Sequence, residues 1–245
     1  MKTKQKDVLT ADTTLGQIFN RNSYAQELLR SIGFKPDGQT EKTLRQICSE
    51  RQWSENEVLE WIGHHEEKET TPSPTFVENL FNNDVSVSEV CHYLKKETIP
   101  EIETLLAKVK KEYARVLKIH GIQYPWLKEA APFVDQLTDK LQYLNYFEKM
   151  TFYPLVDEYS HQKEKILDRD VQNLKRSVQI VRDDHQTIQK SIHHINRLSN
   201  GLNYPESACS TFRIATNQLR MLIDLVGRHF DIEDKHLLPT LESKL

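Results

Sequence analysis

Four long amphipathic segments joined by short turns occupy residues 76–245, and that arrangement prescribes an up-down helical bundle. The first, "SVSEVCHYLKKETIPEIETLLAKVKKEYARVLKIHG", carries Pro100 as a kink or restart and ends at Gly121 and Pro125. The second is "PWLKEAAPFVDQLTDKLQYLNYFEKMTFYPLVDEY". A third spans about 168–199, and a fourth runs from Ala208 to about Leu241. Composition agrees: 7 Gly and 9 Pro in 245 residues, with few short β-branched runs, leave little for a sandwich, barrel or doubly wound sheet.

A smaller helical unit precedes the bundle. "TTLGQIFNRNSYAQELLRSIG" starts at a Thr cap and stops at Gly33, "KTLRQICSERQW" places Leu44, Ile47 and Cys48 on one face, and "SENEVLEWIG" opens with a capping-box pair, Ser54 and Glu57. "HHEEKETTPSPT" is polar and Pro-bearing, which reads as a linker containing a solvated His64 and His65. The expected organisation is a small helical N-terminal domain over 1–65, a linker over 66–75 and a four-helix bundle over 76–245.

The totals exclude several functions. A formal net charge of -3 argues against a nucleic-acid partner or an anionic membrane surface. No apolar run approaches the ~20 residues that span a bilayer, and the N-terminus lacks a signal-peptide core. Cys48, Cys91 and Cys209 are odd in number and unrelated in spacing, which suits a reducing cytoplasm. Neither a nucleophile–base triad nor a phosphate loop or dinucleotide motif is visible, so conventional enzyme activity is not expected.

The last segment contains "RHFDIEDKHLLPTL", with His229 and Glu233 one helical turn apart and a Pro closing the run. The second segment ends alike: Glu148 stands six residues before Pro154, as Glu233 stands six before Pro239, but the position four before Glu148 is Leu144. In an antiparallel bundle Glu148, His185, His229 and Glu233 are expected at one level. A carboxylate and imidazole set suits iron, manganese or zinc. Each residue alone has a plainer reading, namely a solvated glutamate, a surface ion pair or a core histidine. The joint pattern carries the metal reading. Further candidates, as ligands or as partners of ligands, are His92, Asp184, His236 and His120, the last also suiting the helix dipole before Gly121.

At these residues the chain resembles the RIC family (repair of iron centres), hemerythrin-like di-iron proteins tied to iron–sulfur cluster repair after nitric oxide or peroxide stress. The likeness is strongest in "YPESACSTFRIATNQLRMLIDLVGRHFDIEDKHLLP", and "RDDHQTIQKSI", "FEKMTFYP" and "LKIHGIQYPWL" are similar to the family's other helix and turn segments. The resemblance implies iron ligation by His185 and His229, with Glu148 and Glu233 as bridging carboxylates. It departs in two places: "IGFKPDGQTEKT" lacks the family's adjacent Cys pair, and Leu144 replaces the helix-two histidine. Helix one is open. Matching "HYLKKETIPEI" to the family's H-x7-P pattern selects His92, whereas reflecting Leu144 and Glu148 across the turn selects Ile99. His92 lies seven residues beyond, about 10 Å along a helix. Glu97, Glu103, Tyr143 and Tyr146 flank the gap as replacement donors.

In hemerythrin-like sites the histidines of helices one and two serve one iron, and those of helices three and four the other. The expectation here is therefore one retained metal position. The resemblance implies a cytoplasmic, hemerythrin-like non-haem iron protein of the cluster-repair type, acting in nitrosative and oxidative stress. Its clients would be iron–sulfur proteins or a cluster scaffold, and a homodimer is compatible with it. The alternative is a divergent member with a one-metal or zinc centre, serving as an oxygen or nitric oxide sensor or an interaction protein.

Overall fold

The structure, a computed structural model, describes residues 9–21, 23–35, 37–63, 85–161, 168–243 and 245. Among them regular structure is helical, with one isolated bridge between Thr14 and Thr43. The expected linker 66–75, with His64 and His65, lies outside the described residues. No described helix is long and apolar enough to cross a membrane.

One compact unit comprises residues 1–71 with 204–217, the other 72–203 with 218–245. The N-terminal unit therefore recruits a stretch of the fourth long segment, which helical periodicity alone assigned to the bundle. Its helices are α1 (Leu15–Arg21), α2 (Ser23–Ser31), α3 (Leu44–Arg51) and α4 (Glu55–Gly63). They bury Leu15, Ile18, Leu29, Leu44, Val58 and Trp61. Thr43 and Gln46 form a capping box on α3. The box expected at Ser54 is only half formed. The Glu57 amide reaches Ser54 Oγ at 3.4 Å, but the Glu57 carboxylate accepts from Ser210 and Thr211 hydroxyls at 2.7 Å each. The buried Arg213 guanidinium donates to the carbonyls of Ile32, Ala208 and Glu206 and faces the Tyr204 ring at 4.8 Å. Gly33 ends the α2 region at φ +83°, and a Cβ there would meet Arg213 Nη1 at 2.4 Å.

Among the described residues the second unit holds four helical rods. The first is α5 (Val87–Tyr93), a π turn (Leu94–Thr98) and α6 (Ile99–His120). The second is α7 (Trp126–Phe147), a π turn (Glu148–Phe152) and α8 (Tyr153–His161). The third is α9 (Asp168–Leu198), and the fourth is α10 (Ser210–Ile232), a π turn (Glu233–Leu237) and α11 (Leu238–Glu242), with Ser210–Asn217 counted in the N-terminal unit. Cross-links establish antiparallel neighbours. Lys110 meets Asp139 and Lys149 meets Glu103 between the first two rods. Lys140 meets Asp184 and Phe133 stacks on His194 between the second and third. Arg182 meets Glu242 between the third and fourth.

Pro154 and Pro239 do not close their runs, and Pro100 stands at a restart, as its position suggested. Each rod continues, to His120 past Pro100, to His161 past Pro154 and to Glu242 past Pro239. In each case a π turn ends two residues before the proline, and the next amide bonds five residues back: Ile99 to Leu94, Tyr153 to Glu148, Leu238 to Glu233. Proline lacks an N–H and crowds the carbonyl four residues earlier, so it fits at the start of a fresh helical ladder. The inserted residue of a π turn supplies that restart without ending the rod.

Candidate metal centre

Of the three π turns among the described residues, two open on a buried carboxylate. Glu148 and Glu233 are both 0% exposed, and each begins its turn. Leu94 opens the third. The rod carrying Glu233 presents His229 one α-helical turn earlier, and α9 presents His185 from the neighbouring rod. Both histidines are buried.

The four groups converge. His185 Nε2 lies 3.0 Å from Glu233 Oε2. His229 Nε2 lies 3.3 Å from Glu233 Oε2 and 3.3 Å from Glu148 Oε2. Glu148, His185 and Glu233 each offer a ligand atom within 4.8 Å of the others. Donor atoms sharing one ion at ~2.1 Å stand about 3–4 Å apart, so these spacings suit a shared ion.

Neighbouring side chains set the two rings. His229 Nδ1 is 2.8 Å from Thr98 Oγ1, whose hydroxyl also reaches the Leu94 carbonyl. His185 Nδ1 is 3.0 Å from Asp234 Oδ1, and its ring stacks on Phe230 at 3.7 Å. Both rings thereby turn Nε2 toward the carboxylates. Tyr153 donates its O–H to Glu233 Oε1 at 2.9 Å.

Burial opposes the imidazolium of His185, but hydrogen bonds to Asp234 and Glu233, with their charges, outweigh it and lift its pKa to about 9. His229 follows the same balance: burial lowers it, while the charges of Glu233 and Glu148 raise it to about 10. Glu148 is pushed up to about 7 by burial and by the charge of Glu233, against the pull of His229. Glu233 is held below the ordinary carboxylate range: burial would raise it, and the two histidines prevail.

Glu148 supplies the test of fit. Neither of its oxygens has a hydrogen-bond partner, although both are buried. A buried carboxylate without hydrogen bonds is costly unless a cation compensates it. A metal ion bound by Glu148, His185, His229 and Glu233 would do so, and nitrogen with carboxylate oxygen is a donor set for iron, manganese or zinc.

The remaining candidates fall elsewhere. Asp184 turns away to Lys140 Nζ at 2.6 Å, leaving its position beside His185 without a role at the cluster. His92 is exposed and lines a surface depression with Ser88, Cys91, Lys95, Tyr153 and Asp157. His236 is half-buried and outside the cluster. His120 sits at the far end of α6, 22 residues or ~33 Å from Thr98, with its ring beside Tyr124. Ile99 and Leu144 are buried hydrocarbon. The flanking Glu97, Glu103, Tyr143 and Tyr146 are all exposed and fill no gap at the centre.

Sequence reasoning missed Thr98, Tyr153 and Asp234. Only Asp234 carried a signal, because the residue after a ligand one turn from a histidine can reach a neighbouring rod.

No family model matches the chain. Two curated relatives, the iron–sulfur cluster repair protein ScdA of two strains of Staphylococcus epidermidis, are each 23% identical over 187 residues. The match covers 75% of this chain and 76% of each relative. The chain resembles iron–sulfur cluster repair proteins.

Proposed function

We propose that this chain is a hemerythrin-like, non-haem iron protein of the cluster-repair type, acting on damaged iron–sulfur proteins or a cluster scaffold in the cytoplasm during nitrosative or oxidative stress. The metal is held by Glu148, His185, His229 and Glu233. The observation that carries this reading is the fully buried Glu148 carboxylate, which accepts no hydrogen bond and has His229 Nε2 at 3.3 Å. The names of the relatives supply the repair context. Iron bound there supplies a redox-active ion that can be released to a client. The chain's residues hold and aim it: Asp234 and Thr98 fix the imidazoles, and Tyr153 fixes one oxygen of Glu233.

Anaerobically purified protein loaded with ferrous iron should restore cluster absorbance to an apo cluster scaffold, and the His229→Ala variant should not. Equal restoration by both would refute the reading.

Leu144 favours a second reading, because buried hydrocarbon stands where the resembled proteins place the second-helix histidine. In it, an incomplete one-metal or zinc centre serves as an oxygen or nitric oxide sensor or an interaction module. A nitric oxide difference spectrum of the iron-loaded protein, together with failure of transfer, would select it.

A further inference from the structure

We infer that Tyr153 restricts the centre to a single metal ion by occupying the carboxylate oxygen that a second ion would need. The inference rests on the metal-centre reading above. Glu233 divides its two oxygens. Oε2 faces His185 and His229 at 3.0 and 3.3 Å. Oε1 accepts the Tyr153 O–H at 2.9 Å. Two ions in one site stand ~3.5–4 Å apart and share carboxylates between them. A second ion here would have to take Glu233 Oε1 from the phenol.

The second rod would then offer it no imidazole at the position matching His229. Leu144 stands to Glu148 as His229 stands to Glu233, four residues earlier, and it is buried hydrocarbon. From the first rod, the Thr98 hydroxyl is engaged with His229 Nδ1 and the Leu94 carbonyl, and Ile99 is apolar. Among the described residues one ligand cluster forms, and it contains both carboxylates.

Charge points the same way. Glu148 and Glu233 together balance one divalent ion. A second dication in the same buried space would leave about two positive charges uncompensated, which burial penalises heavily. Tyr153 is neutral, keeps its O–H on Glu233 Oε1 with His229 Nε2 3.5 Å away, and is itself 2% exposed.

The test loads full-length metal-free protein with excess ferrous iron under anaerobic conditions, desalts it and counts iron per chain. Wild type, Tyr153→Phe and Leu144→His should each hold one ion. The double variant Leu144→His/Tyr153→Phe, which supplies the nitrogen donor and frees the oxygen, should hold two. Two ions in wild type or in Leu144→His alone would overturn the role of Tyr153, as would one ion in a folded double variant. A second measurement uses cobalt(II) in wild type and in Tyr153→Phe, which loses one hydroxyl and keeps its packing. With one ion in each, the visible spectrum should differ between them, because the freed Glu233 oxygen can chelate. Identical spectra would overturn the proposal even if the double variant failed to fold. No iron in wild type would overturn the metal centre itself, a different failure.

Discussion

Proton competition gives the metal centre a steep pH dependence of opposite sign in its two states. Folded metal-free protein keeps protons on His185 and His229, whose pKa values rise to about 9 and 10 from an unfolded value of 6.5. A raised folded pKa contributes stability that is complete below 6.5 and lost as pH climbs toward 9 and 10. Each group contributes at most one proton's worth per pH unit in that window, so the pair gives at most about 3 kcal/mol per unit. From pH 7 to 8.5 the metal-free protein should therefore lose up to ~4 kcal/mol, a large share of a typical 5–15 kcal/mol. Glu148, raised to about 7, has the same sign in a lower window: its contribution is lost between 4.5 and 7. Glu233, held below 4.5, has the opposite sign and loses its contribution only in stronger acid. A metal must displace the same two histidine protons, so apparent affinity should rise about 100-fold per pH unit between 7 and 9. Competition titrations with zinc at pH 7, 8 and 9 would read this as a slope near two in log affinity against pH. Urea melts of metal-free protein would show the converse loss. A flat affinity profile, or metal-free stability rising with pH, would refute the arrangement of charges described above.

Other expectations concern single residues. His229→Ala should abolish metal binding by elemental analysis, whereas His120→Ala, at the far end of α6, should leave it unchanged. Asp234→Asn should weaken metal affinity about 10–100-fold by loosening the His185 ring, and Asp184→Asn, whose partner is Lys140, should leave it within a few-fold. Gly33→Ala should lower stability by at least about 1–2 kcal/mol in a denaturant melt, because the backbone is left-handed there and the new Cβ meets Arg213.

Much of the bundle is legible in the chain. The long segments follow from the spacing of apolar residues, and α9 falls at Asp168–Leu198 against an expected 168–199. The pairing of His229 with Glu233 is a one-turn relation that any helix preserves. Thr98 was not legible for a geometric reason. A straight helix reflected across the turn selects Ile99, but the π turn at Leu94–Thr98 inserts a residue and brings Thr98 to His229. Tyr153 was hidden likewise: it is the first residue after a π turn, and its hydroxyl reaches a different rod. Pro154 and Pro239 read as stops, unlike Pro100, because the effect of proline on an α-ladder is local and negative. The π turn that accommodates them has no fixed composition, opening on Glu twice and Leu once. Glu57 gave a capping signal whose strongest partners, Ser210 and Thr211, lie more than a hundred residues away.

The three π turns make chain length as constrained a property as residue identity at this level of the bundle. A residue added to a helix rotates everything beyond it by about 100°. Each of these rods therefore has two phases: one before the turn and another after it, where α6, α8 and α11 bury Ile102, Val156 and Leu241. Removing one residue from a turn would repair the hydrogen-bond ladder and, in the same stroke, swing that second stripe out of the core. A substitution among the six positions before each proline acts through one side chain, as at Glu148 or Glu233, whereas a deletion among them turns the whole stripe beyond. The register of the polar level and that of the hydrocarbon beyond it are coupled through a single extra peptide in each of three rods.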